Sequence, residues 1–113
     1  MCTENQLGNI LSVVASQAKV LFADKLDSVI LFGSYARGDF DNESDIDIMI
    51  LADINDIDVN ICTRQIYEKI YYLELEYDCV LSLCVVPQER FNKFKGILPF
   101  YRNVDREGVK IAV

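Results

Sequence analysis

A chain of 113 residues, 51% hydrophobic and 26% charged, has the size and make-up of one globular domain spanning 1–113, which excludes a disordered chain and leaves no room for a separate recognition domain. Its formal net charge of -7 argues against a grip on long nucleic acid, because that grip depends on lysines and arginines neutralising phosphates. There is no histidine, the four cysteines show no C-x-x-C spacing, and no apolar run approaches the roughly 20 residues of a membrane span, so a zinc site and a membrane protein are both disfavoured and the thiols read as reduced in a cytoplasmic protein.

In chain order, Leu7, Ile10, Leu11, Val14, Ala18, Leu21 and Phe22 recur at helical spacing, and Thr3 with Gln6 forms a capping box ahead of them. "DSVILFG" reads as a short buried strand stopped by Gly33, and "SDIDIMILA" as a second. Between them runs a turn-rich loop with Gly38, Asp39, Asp41 and Asn42. After Asp56 a second helix is expected, with Cys62, Ile66, Ile70 and Leu73 on one stripe, continuing to about Tyr77. "DCVLSLCVV" is a third strand, Pro87 opens the helix "PQERFNKFKGIL", and the end reads as a helical turn followed by an edge strand with Val109, Ile111 and Val113 alternating. The expected fold is α/β (α+β): one compact domain, a small mixed sheet flanked by helices.

Charge is unevenly distributed. From Asp39 to Asp58 every charged residue is acidic, whereas over residues 87–113 Arg90, Lys93, Lys95, Arg102, Arg106 and Lys110 outnumber Glu89, Asp105 and Glu107. The acidic stretch suits cations. The basic tail suits an anion or an acidic partner, or is a solvated face.

Within the acidic stretch, Asp45 and Asp47 stand two apart on a strand, so their side chains project to one face about 6.5 to 7 Å apart while Ile46, Ile48 and Ile50 pack the other. Two carboxylates so placed repel each other, and a hard cation such as magnesium or manganese between them relieves the cost. Gly33, lacking a Cβ, lets an anionic group approach the backbone, and Ser34 adds a hydroxyl at the start of a helical turn. Carboxylate-held metal beside a phosphate cradle is the layout for phosphoryl or nucleotidyl transfer. Neither the P-loop pattern nor G-x-G-x-x-G is present.

The stretch "GSYARGDFDNESDIDIMIL", Gly33 to Leu51, resembles the signature of the DNA polymerase β-like nucleotidyltransferase superfamily, Gly-Ser followed at a set distance by Asp-x-Asp on the next strand. More narrowly it is similar to the minimal nucleotidyltransferases of bacteria and archaea. The resemblance implies that Gly33 and Ser34 hold the triphosphate of an incoming nucleotide, with Arg37 either touching it or serving as an exposed turn residue. It also implies that Ser44 would steady the aspartate pair. Asp45 and Asp47 would ligate two magnesium ions, and a third carboxylate on a neighbouring strand would act as general base or further metal ligand. Asp78 at the mouth of the third strand is the candidate, unless the register sets Ser82 opposite Asp47, in which case the third ligand is missing.

The implied reaction moves AMP from ATP onto a hydroxyl of a partner protein. The implied partner is a HEPN-domain protein encoded nearby, in a toxin-antitoxin pair whose antitoxin is this chain, so a homo- or hetero-oligomer is possible. Two alternatives stand beside it: a subunit that neutralises its partner by contact alone, and half of a split enzyme modifying a small molecule such as an aminoglycoside. Tyr67, Tyr71, Tyr72 and Tyr77 read as ordinary packing in preference to a base pocket or AMP acceptors, and Phe100 and Tyr101 beside Arg102 read equally as interface or core.

Overall fold

Thr3 opens helix α1 (Glu4–Phe22) in the expected way: its hydroxyl accepts from the Gln6 backbone N–H at 3.2 Å, and its own N–H donates to the Gln6 side chain at 3.0 Å. The computed structural model describes residues 2–111. A 3-10 turn at Ala23–Lys25 leads to strand β1 (Leu26–Phe32), and helix α2 (Gly33–Arg37) follows without a break. Strand β2 (Ile46–Ala52) is followed by helices α3 (Val59–Ile70) and α4 (Tyr72–Tyr77). Strand β3 (Leu81–Pro87), helices α5 (Gln88–Phe94) and α6 (Pro99–Glu107), and strand β4 (Val109–Ile111) complete the described chain.

The strands form one mixed sheet in the order β3-β2-β1-β4, with β1 antiparallel to β2 and β4, and β2 parallel to β3. The parallel pair needs a crossover, which α3 and α4 supply. Both faces of the sheet are covered. Ile46, Ile48 and Ile50 join Val29, Leu31 and Val85 under α1, α3 and α4 in the larger core. Ile30, Met49, Leu51 and Val86 meet Phe91 and Val104, from α5 and α6, on the other side. This is an α+β domain with a mixed four-stranded sheet.

Several expectations are corrected. Leu21 is exposed, although the other apolar positions expected on α1 face the core or its margin. The second helix is not continuous to Tyr77: the Glu74 N–H bonds to the Tyr71 carbonyl at 3.0 Å, an i to i+3 tightening that separates α3 from α4. The third strand starts at Leu81, because Asp78 takes a left-handed conformation (φ 50, ψ 57) at the end of α4 and the Cys79 N–H bonds back to the Glu74 carbonyl. The last segment holds a full helix, α6, with Pro99 in its first turn and Gly108 closing it onto the Val104 carbonyl at 2.8 Å. Val113 lies outside the described residues. All four cysteines are free, Cys2 buried and the other three half-buried. Among the described residues no helix is long and apolar enough to cross a membrane.

Candidate active site

Alternation along β2 decides the geometry of the acidic pair. Since Ile46, Ile48 and Ile50 enter the larger core, Asp47 points to the opposite face, the one covered by α5 and α6. Its cross-strand neighbours are Phe32 on β1 and Ser82 on β3. Asp45 precedes the strand and is exposed, while the next N–H, of Ile46, is tied to the Val80 carbonyl at 2.9 Å. Burial and the negative charge of Asp45 push the Asp47 carboxyl above its ordinary value, opposed by a hydrogen bond from Ser82 and the charge of Arg37.

Gly33 is where the motif becomes three-dimensional. It turns the chain from β1 into α2 at φ +71, and a Cβ there would collide with the Asp47 carboxylate. Glycine is therefore demanded twice, by the backbone and by the side chain against it. Ser34 is half-buried and follows in α2, its carbonyl accepting from Gly38 at 2.9 Å and from Asp39 at 3.2 Å. Gly38 ends α2 in the left-handed conformation, φ 84. Arg37 leaves α2 to pair with Asp39 at 3.1 Å and Glu107 of α6 at 3.5 Å.

Ser44 belongs to the loop that delivers Asp45. Its hydroxyl accepts from the Asp41 N–H at 2.9 Å, and the Asp41 carboxylate accepts from the Glu43 N–H at 2.9 Å, closing an Asx-type turn. The Ser44 contact is with this loop. Asp78 lines a cavity of about 400 Å³ with Tyr35, Ser44 and Val80, while Ser82 takes the register position beside Asp47. The structure thus sets Gly33 against Asp47 with the charge of Asp45 acting on it, Ser34 following Gly33 into α2, Arg37 tied to Glu107 of α6, and Ser44 and Asp78 lining a separate cavity. Among the described residues no three His, Cys, Asp or Glu side chains converge as a metal site.

The tyrosines expected on the second helix stand apart from this site. Tyr67, Tyr71 and Tyr72 are exposed on helices that cover the face opposite to Asp47. Neither Cys84 nor Phe100 carries a sequence signal that ties it to this site. Cys84, across from Met49, has its thiol pushed up to about 11 by burial and by the charge of Asp47. Phe100 sets its ring against Phe32 at 5.7 Å and 78°. The adjacency of Phe32 to Gly33 was visible, but nothing local places α6 over it. Tyr101 packs on Phe91 at 5.7 Å, so the two aromatics divide between surface and core.

Residues 15–109 match the model of the "Nucleotidyltransferase domain" family. A protein of Methanocaldococcus jannaschii named "Putative protein adenylyltransferase MJ0604" is 42% identical over 91 residues, covering 80% of this chain and 82% of its own. Among solved structures, a toxin-antitoxin crystal structure with AMP-PNP contains a chain of TM-score 0.54 and 23% identity, over 86% of this chain and 68% of that one. A mutant of the toxin-antitoxin MntA-HpeT contains one of TM-score 0.51 and 23% identity, over 99% and 73%. At such identity the structures speak for the fold.

Proposed function

Because this chain belongs to the nucleotidyltransferase domain family and is a nucleotidyltransferase, we propose that it transfers AMP from ATP to a hydroxyl of a protein, as the antitoxin of a toxin-antitoxin pair with a HEPN-domain toxin in the cytoplasm. The observation that carries this reading is the contact geometry of Gly33, whose missing Cβ lets the turn into α2 lie against the Asp47 carboxylate. A phosphate approaching the Gly33 backbone would meet the acidic pair there, which supports this reading. The name of the Methanocaldococcus jannaschii relative supports a protein acceptor, and the toxin-antitoxin names of the fold neighbours agree with a partner protein.

The donor set fits a hard divalent cation. Asp45 and Asp47 supply oxygen ligands, their mutual repulsion and the burial of Asp47 are relieved by a positive charge, and among the described residues neither carboxylate makes a salt bridge. These two residues would hold magnesium, which would neutralise charge building on the phosphates. Gly33 and Ser34 lie along the triphosphate, Arg37 adds positive charge from the α6 side, and Ser82 stands across from Asp47 on β3. Ser44 acts indirectly, closing the loop that presents Asp45.

A second reading draws on Ser82. With a hydroxyl beside Asp47 where a third carboxylate would complete the set, the chain binds nucleotide, turns it over slowly and restrains its partner by contact. One experiment separates the readings. With magnesium and ATP labelled at the α-phosphate, the wild type transfers label to the toxin co-expressed from the neighbouring gene, and an Asp45→Asn, Asp47→Asn double variant does not. Label confined to small molecules removes the protein acceptor. ATP binding without any transfer favours contact, and equal ATP binding by the double variant removes the site.

A further inference from the structure

A cavity of about 230 Å³ opens between α2 and α6, lined by Phe32, Gly33, Arg37, Phe100, Asn103, Val104 and Glu107. Gly33 links this cavity to the acidic pair, because it lines the cavity and also abuts the Asp47 carboxylate. Phe32, which also lines it, is the direct cross-strand neighbour of Asp47. The cavity therefore adjoins the acidic pair on the same face of the sheet.

We infer that this cavity is the base subsite for the nucleotide, with Phe100 as the stacking surface and Asn103 reading the edge of an adenine; the inference rests on the nucleotidyl-transfer reading above. The positions of α6 sort into three stripes. Tyr101 and Val104 pack inward, Arg102 and Arg106 face outward, and Phe100, Asn103 and Glu107, spaced three and four apart, turn to the cavity. Phe100 remains 50% exposed although its ring meets Phe32 edge to face at 5.7 Å. An aromatic ring left half open beside a phosphate approach is suited to a planar heterocycle, since every base presents a π face to stack. The Asn103 amide offers a donor and an acceptor side by side, the pattern complementary to the amino and ring nitrogens of adenine. Arg37, held between Asp39 and Glu107, closes the outer wall.

The cavity on the Ser44 side does not offer the same chemistry. Its one ring, Tyr35, is buried and already stacked on Phe40 at 4.3 Å and 7°, and Glu43 and Asp78 make its rim acidic.

Calorimetry with magnesium, comparing ATP, GTP and inorganic tripolyphosphate, tests the subsite. Wild type is expected to bind ATP more tightly than tripolyphosphate, and Phe100→Ala to weaken ATP by about tenfold while leaving tripolyphosphate unchanged, the scale of one lost stacking contact. Phe100→Trp should keep ATP affinity, and Asn103→Ala should narrow the preference for ATP over GTP. Phe100 is half exposed, and a melting curve superimposable on wild type shows that each variant folds. If tripolyphosphate binds as tightly as ATP, or Phe100→Ala weakens both alike or neither, the base subsite is overturned while the nucleotidyl-transfer site stands. If neither ligand binds the wild type, both readings fall together.

Discussion

Asp47 carries its charge against two resistances, burial first and the neighbouring Asp45 second. Its folded-state pKa is raised above the unfolded value of 3.8, so the native state takes up its proton more readily. The contribution of this group to stability falls as pH rises from about 4 through the raised value. In the presence of a chelator, Asp47→Asn should therefore melt at a higher temperature than wild type at pH 7, and the gain should vanish below the unfolded carboxylate range; thermal denaturation across pH checks this. Asp78 poses a different question, because its left-handed turn at the end of α4 keeps it off the strand that pairs with β2. Asp78→Asn is expected to slow label transfer by less than about tenfold, whereas losing a general base costs about a hundredfold or more. A hundredfold loss would return Asp78 to the chemistry.

At the scale of elements, α6 is the part whose position matters most, since it seals the second core with Val104 and lines the cavity beside Gly33. Gly108 holds it there. A Cβ at that position would run into the Val104 carbonyl and the Ile30 side chain, where α6 turns into β4 against β1. Gly108→Ala should cost about 1 to 3 kcal/mol by overpacking, read as a lower urea midpoint with unchanged slope, and should weaken ATP binding by displacing α6. At the other end of the chain, the capping box of α1 is local and self-sufficient, which is why it was readable from Thr3 and Gln6 alone.

For the molecule as a whole, the acidic stretch and the basic tail come together in space. Arg90 of the tail reaches Asp56 of the acidic stretch, so part of the opposite charge is spent on an internal pair, while Glu107 of the tail takes Arg37, which precedes the stretch. Arg102 and Arg106 remain exposed on the outer stripe of α6. An acidic partner would meet them, and exposed charges of this kind act through steering and are screened by salt. Arg102→Glu with Arg106→Glu should weaken capture of the co-expressed partner at low ionic strength, with ATP affinity held within about twofold. Surface binding at two salt concentrations, with calorimetry for ATP, measures both arms. Unchanged capture would move the docking surface elsewhere.

Sequence alone determined what local chemistry can dictate. The capping box, the alternation of Ile46, Ile48 and Ile50 against Asp45 and Asp47, and the glycine-serine turn into a helix are all encoded within a few residues, because side-chain periodicity and backbone freedom are local properties. Tertiary structure decided what depends on register and on long-range packing. Whether Asp78 or Ser82 stands beside Asp47 follows from the parallel pairing of β2 and β3, and a left-handed residue three positions before β3 settled it. The placement of Phe100 and Asn103 beside Gly33 likewise had no signal in the chain, since some seventy residues of sequence separate them and only the packing of α6 against the sheet brings them together.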